Sequence, residues 1–126
     1  MIVRKLSEIE NTERDIKWGN GVSRRFLLAV DNMGYTLTDT VVEPNTESLL
    51  EYKNHLESCY CIEGEGEIEI IGGEVYQISP GTLYALDKHE AHLLRAKSKL
   101  RLICIFNPAL QGKEQHLLSK EISSSY

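Results

Sequence analysis

From Val22 to Phe106 the chain is cut into short β-prone segments by turn residues at intervals of about ten, the spacing of a sandwich or barrel. Gly19-Asn20-Gly21, Gly64-Glu65-Gly66, Gly72-Gly73 and Pro80-Gly81 mark the turns. Between them the side chains alternate. In 34–42, Thr36, Thr38 and Thr40 fall on one face, with Tyr35, Leu37 and Asp39 on the other. In 99–106 one face holds Leu102, Cys104 and Phe106, and Pro108 stops the strand. Further strands are expected at 57–63, 67–71, 74–78, 82–86 and 92–96, the first three joined as a meander. Residues 1–18 read as a short strand followed by a loop or helical turn. The residues after Pro108 read as a polar tail. At 126 residues the chain supports one core and not two. The expected layout is one domain over 1–126, with a lead-in at 1–21, a barrel at 22–108 and a tail at 109–126.

Composition narrows the partners. The net charge is −5 and the lysines are dispersed, with no basic stripe interleaved with aromatics, so no nucleic-acid partner is expected. No apolar run reaches the length of a membrane span. The N-terminus turns charged at once, so no secretory signal is expected either. Cys59, Cys61 and Cys104 are odd in number, lie in apolar strand-like segments and match no zinc-ribbon spacing. They read as small buried hydrophobes in a reducing compartment.

The chemistry-bearing residues lie on separate strands. Glu57 opens an apolar strand, and Tyr84, His89 and His92 follow the Pro80-Gly81 turn. A hard carboxylate and an imidazole brought together by one small β domain suit a mononuclear divalent metal. Glu57 followed seven residues later by Gly64, then a Pro-Gly turn and a histidine, resembles the two halves of a cupin signature. That implies an all-β, double-stranded β-helix. The histidine pair that cupins usually place upstream of the glutamate is missing, since Glu51, Tyr52 and Lys53 stand there, so a three-histidine metal site is excluded.

Another donor is then needed. A Tyr84 phenolate can serve if a metal lowers its pKa from about 10, although on pattern alone Tyr84 reads rather as a packed core aromatic. His92 begins a strand where cupins place their last ligand. His89, beside Asp87, Lys88 and Glu90, reads as part of an exposed loop. His55, two residues from Glu57, fits a supporting or substrate-contacting role and a surface role alike.

The blocks Tyr52-Lys53-Asn54-His55-Leu56-Glu57, Tyr60-Cys61-Ile62-Glu63-Gly64-Glu65-Gly66-Glu67, Leu83-Tyr84-Ala85-Leu86-Asp87-Lys88-His89 and Phe106-Asn107-Pro108 resemble ectoine synthase. The likeness runs from about Ser23-Arg24-Arg25 to His116. The resemblance implies a cytoplasmic, homodimeric cupin lyase that closes N-γ-acetyl-2,4-diaminobutyrate into ectoine with loss of water, dependent on Fe(II). It implies iron held by Glu57, Tyr84 and His92, and pocket residues at Arg25, Thr40, Tyr52, Cys104, Phe106, Glu114 and His116. Some positions depart from the family. Gly21 replaces a tryptophan, with Trp18 shifted three residues upstream. Thr38 replaces an asparagine, Glu51 replaces a tryptophan, and the ending Ser123-Ser124-Ser125-Tyr126 differs.

The implied reaction is an intramolecular condensation, in which an amine attacks an amide carbonyl and water leaves. It calls for a Lewis acid, general acid–base groups and confinement of a flexible chain. Tyr52, His55, Glu114 and His116 are the acid–base candidates, in no assigned order. Arg25 is the expected partner of the substrate carboxylate, because a guanidinium matches that group at two points. Two other readings stand beside this one: a cyclase or hydro-lyase acting on a different short amino-acid amide, and a non-catalytic cupin that binds a small molecule.

Overall fold

A computed structural model describes residues 1–114. A one-turn helix, α1 (Leu6–Ile9), leads into ten strands: β1 (Asp15–Lys17), β2 (Gly21–Arg25), β3 (Thr36–Val42), β4 (Thr46–Leu50), β5 (Leu56–Glu63), β6 (Gly66–Ile70), β7 (Val75–Ile78), β8 (Leu83–Leu86), β9 (His92–Ala96) and β10 (Leu100–Asn107). Six of them form one antiparallel sheet in the order β1-β2-β3-β10-β5-β8, and four form the other, β4-β9-β6-β7. The two sheets face each other over an apolar interior. This is the double-stranded β-helix that the sequence implies.

Strand alternation decides what faces inward. β10 lies between β3 and β5 and buries Leu100, Leu102, Cys104 and Phe106. β5 turns Glu57, Cys59 and Cys61 inward, leaving Leu56, Tyr60 and Ile62 on the outer face. β3 turns threonines inward, and their hydroxyls are satisfied there. The Leu110 amide donates to Thr36 at 2.8 Å, and the Thr38 and Thr40 hydroxyls share a 2.8 Å bond.

Three local expectations are corrected. The N-terminal helix precedes the strand β1 rather than following one. It starts where the Lys5 amide donates to the Glu8 carboxylate at 2.8 Å. The expected meander of three strands is one hairpin, β6–β7, because β5 pairs with β10 and β8 in the other sheet. Gly64 and Gly66 make the corner where the chain changes sheets. A Cβ at Gly64 would sit 2.1 Å from the Lys99 carbonyl oxygen, and one at Gly66 2.2 Å from that of Arg95. Glycine at both positions lets the backbone pass these carbonyls, Arg95 on the neighbouring strand β9 of the same sheet and Lys99 just before β10. Lastly, β4 is unmarked in the sequence because Thr46-Glu47-Ser48-Leu49-Leu50 alternates weakly. Its pairing with β9 sets Leu50 opposite His92.

Candidate active site

The six-stranded sheet carries most of the polar groups that line the interior void. Glu57, Cys59 and Tyr84 come from the paired strands β5 and β8, Cys104 and Phe106 from β10, Thr40 from β3 and Ser23 from β2. With Tyr52 and Trp18 they line one interior void of about 20 Å³. That is room for one water or one ion. Tyr84 also borders a wider cleft of about 460 Å³ beside Ile70, Tyr76 and Leu83.

Glu57 is 6% exposed, and its Oε1 has no hydrogen-bond partner. Burial pushes its carboxyl up to about 8, against the pull of the Cys59, Cys104 and Tyr52 side chains. A buried carboxyl with one bare oxygen is a candidate site for a cation. Burial also pushes the Tyr84 phenol well above its ordinary value, with the neighbouring Cys59 and Glu57 charges adding to the shift.

His92 is fully buried. Its Nδ1 donates to the Glu90 carbonyl at 2.9 Å, which fixes the tautomer, and its Nε2 has no partner. Burial pushes its pKa down, opposed by the Glu90 carbonyl, so the ring stays neutral. A neutral imidazole with one nitrogen tied to backbone and the other bare has the form of a metal ligand. The His92 ring lies 5.6 Å from that of Tyr52, which meets Phe106 edge-on at 5.4 Å. His92 does not itself line the void, although the neighbouring Tyr52 does. The donor types of Glu57, Tyr84 and His92 suit a divalent metal, and Glu57 and His92 each keep one bare, buried acceptor atom.

The remaining candidates divide. Arg25 is fully buried. Its guanidinium donates to the Ser23 hydroxyl at 3.3 Å and to the Glu114 carbonyl at 2.6 Å, and it pairs with the Glu114 carboxylate at 3.8 Å. Burial would raise the Glu114 carboxyl, but the Gln111 and Gly112 amides and the Arg25 charge hold it below its ordinary value. His55 is buried outside the void, donating through Nδ1 to the Pro108 carbonyl at 2.8 Å and stacking edge-on to Phe106. His89 lies on the exposed loop, where its Nδ1 donates to the Tyr52 carbonyl at 2.7 Å. His116 lies outside the described residues. Cys59 was no candidate from the sequence, although its position two residues after Glu57 puts both on one strand face.

A family model described as ectoine synthase matches residues 1–121. The L-ectoine synthase of Desulfatibacillum aliphaticivorans is 56% identical over 119 residues, covering 92% of each chain. The chain belongs to the ectoine synthase family. The crystal structure of ectoine synthase from P. lautus superposes with a TM-score of 0.87 at 57% identity, covering 89% of this chain and 81% of that one. The plu4264 protein from Photorhabdus luminescens, 19% identical with a TM-score of 0.66 over 84% of this chain and 87% of that one, shares the fold.

In this ectoine synthase family chain the tryptophan near the void is Trp18. Trp18, 4% exposed, lines the void, so an indole wall is present although the residue at 21 is glycine. Among the described residues no helix is long and apolar enough to cross a membrane.

Proposed function

We propose that this chain closes N-γ-acetyl-2,4-diaminobutyrate into ectoine with loss of water, with a ferrous ion held by Glu57, Tyr84 and His92. The observation that carries the reading is the buried Glu57 carboxylate, its Oε1 bare, lining one void with Tyr84 inside a barrel of this family. When bound, the ion supplies a Lewis acid that polarises the amide carbonyl. The chain's own residues do the rest. Arg25 receives the substrate carboxylate, which takes the place of the Glu114 carboxylate beside it. The void as it stands has room for one ion, so substrate entry requires its walls to part; Trp18, Tyr52 and Phe106, among its lining, then confine the flexible chain in a ring-closing shape and exclude water.

The α-amine forms a bond to the carbonyl carbon, the amine proton leaves, and the carbinolamine hydroxyl departs as water after protonation. Tyr52 Oη, the Glu114 carboxylate and His116 are the groups proposed to move those protons. His55 is assigned a positioning role, because its Nδ1 proton is committed to the Pro108 carbonyl and its ring packs on Phe106. Thr40 and Cys104 belong to the same lining and are assigned to the substrate wall.

The whole chain, 1–126, acts as one domain with lead-in 1–21, barrel 22–108 and tail 109–126. It works as a homodimer in the cytoplasm. Support for the dimer comes from the outer face of β10, β5 and β8, which exposes Leu56, Tyr60, Ile62, Leu83 and Ile105 side by side. The three free cysteines accord with a reducing compartment.

The metal assignment is tested by iron content. Glu57→Ala and His92→Ala should each lose most bound iron while keeping a native circular-dichroism spectrum. Either variant holding stoichiometric iron contradicts the ligand set.

A further inference from the structure

Cys59 and Cys104 are direct cross-strand partners on β5 and β10. Their Sγ atoms lie 3.2 Å apart. Glu57 shares their inward face, and one ligand atom from each of the three residues lies within 4.8 Å of the others. The cysteines are 1% and 2% exposed, and all three residues line the ion-sized void. The Glu57 Oε1, buried and unpartnered, supplies the independent sign that a ligand belongs here.

We propose that Cys59 and Cys104, with Glu57, form a thiolate arm of the metal centre that binds a borderline-soft divalent cation of the zinc class in competition with ferrous iron.

Donor chemistry argues the preference. A carboxylate with a phenolate and an imidazole is a hard-to-intermediate set suited to iron, whereas two thiolates favour zinc. Across a tetrahedral zinc with Zn–S bonds of about 2.3 Å, two sulfurs stand roughly 3.8 Å apart. The thiols therefore need only to part by about half an ångström from their 3.2 Å contact. Two thiolates and one carboxylate around a divalent cation leave one net negative charge, and each thiol releases its proton as the metal binds. The Tyr84 hydroxyl, within hydrogen-bond reach of Cys59, then donates to that sulfur instead of binding the metal. Because Glu57 belongs to both donor sets, the two cations exclude one another.

The inference rests on the proposed function only through Glu57, and its test reads the metal directly. Cobalt(II) is titrated into metal-free full-length chain and the near-ultraviolet spectrum recorded, where thiolate-to-cobalt charge transfer appears. The expected result is such a band saturating at one cobalt per chain and discharged by zinc. Cys59→Val and Cys104→Ala should each reduce it by half or more. Cys61→Ala should leave it unchanged, since Cys61 is buried but lies outside the void.

The same Cys59→Val variant should lower the zinc-over-iron preference in competition dialysis by at least the roughly 10–100-fold that losing a merely supporting residue costs a metal site. Circular dichroism checks that each variant is folded, and Cys59→Ser serves if Cys59→Val is not. Cobalt binding with no charge-transfer band, or a zinc-over-iron preference untouched by either cysteine variant, overturns the proposal. Ectoine formation with iron but no band refutes the thiolate arm alone. A band with no ectoine formation refutes the function and leaves the thiolate arm standing.

Discussion

Trp18 and Gly21 are bound as a pair. The Trp18 amide donates to the Gly21 carbonyl at 3.1 Å, and a Cβ at Gly21 would lie 3.1 Å from the indole Cζ2 and 1.8 Å from the Val41 carbonyl oxygen. The β1–β2 turn therefore folds the indole over the void while leaving no room for a side chain at position 21. Glycine here follows first from the Val41 backbone on β3, with the Trp18 indole crowding the same space.

The first prediction concerns that pair. Gly21→Trp should not restore a family-like wall, and even Gly21→Ala should destabilise the fold by about 2 kcal/mol or more through overpacking against backbone. Trp18→Phe should fold and raise KM with a smaller change in kcat, because the wall shrinks while the reacting groups stay in place. Thermal melts and steady-state kinetics check both. A stable Gly21→Trp with improved KM contradicts the account.

Much of this site is legible in the sequence, for a physical reason. Glu57, Thr40, Cys104 and Phe106 sit on strands whose period of two fixes their face once the strand is recognised. What lies between strands is less legible. The Gly64-Glu65-Gly66 segment looks like a hairpin turn, yet it is a corner between sheets, because the approach of Lys99 and Arg95 that decides it is remote in sequence. The pairing of Arg25 with Glu114 and of His55 with Pro108 also depends on long-range contacts that no local pattern records.

Tyr84→Phe is the second prediction. The change removes one hydroxyl from a residue packed against the core, so circular dichroism and melting should stay close to wild type. Ectoine formation should fall by at least about two orders of magnitude, the scale of one well-placed proton-transfer or ligand group. Turnover near wild type would leave Tyr84 as a packing residue.

Acid stability provides the third. Asp31 is held well below the usual carboxylate range by hydrogen bonds from Arg4 and Arg14, at 2.9 and 3.0 Å. Burial would raise the Asp39 carboxyl, but Arg101 and Arg24, at 2.6 and 2.7 Å, hold it below its ordinary value. Folded values below the unfolded one, about 3.9, mean stability that is fully present above that pH and lost below it, as pH falls through the folded values. Asp31→Asn and Asp39→Asn should each cost roughly 2 kcal/mol near neutrality and flatten the decline below about pH 4. Urea melts across pH check this, and an unchanged acid slope contradicts it.

For the dimer, Tyr60 and Leu83 oppose each other on β5 and β8, at 46% and 62% exposure. Light scattering should give twice the 14.3 kDa chain mass, and Leu83→Asp should shift it toward monomer. A wild-type monomer at micromolar concentration contradicts the proposed assembly.

The most direct test of the central claim is product formation. Purified chain loaded anaerobically with ferrous iron is given N-γ-acetyl-2,4-diaminobutyrate, and ectoine is followed by chromatography with mass detection. The account predicts ectoine from the wild type and none above background from Glu57→Ala. A folded, iron-loaded wild type that forms no ectoine, or a Glu57→Ala variant that forms it at the wild-type rate, would contradict it.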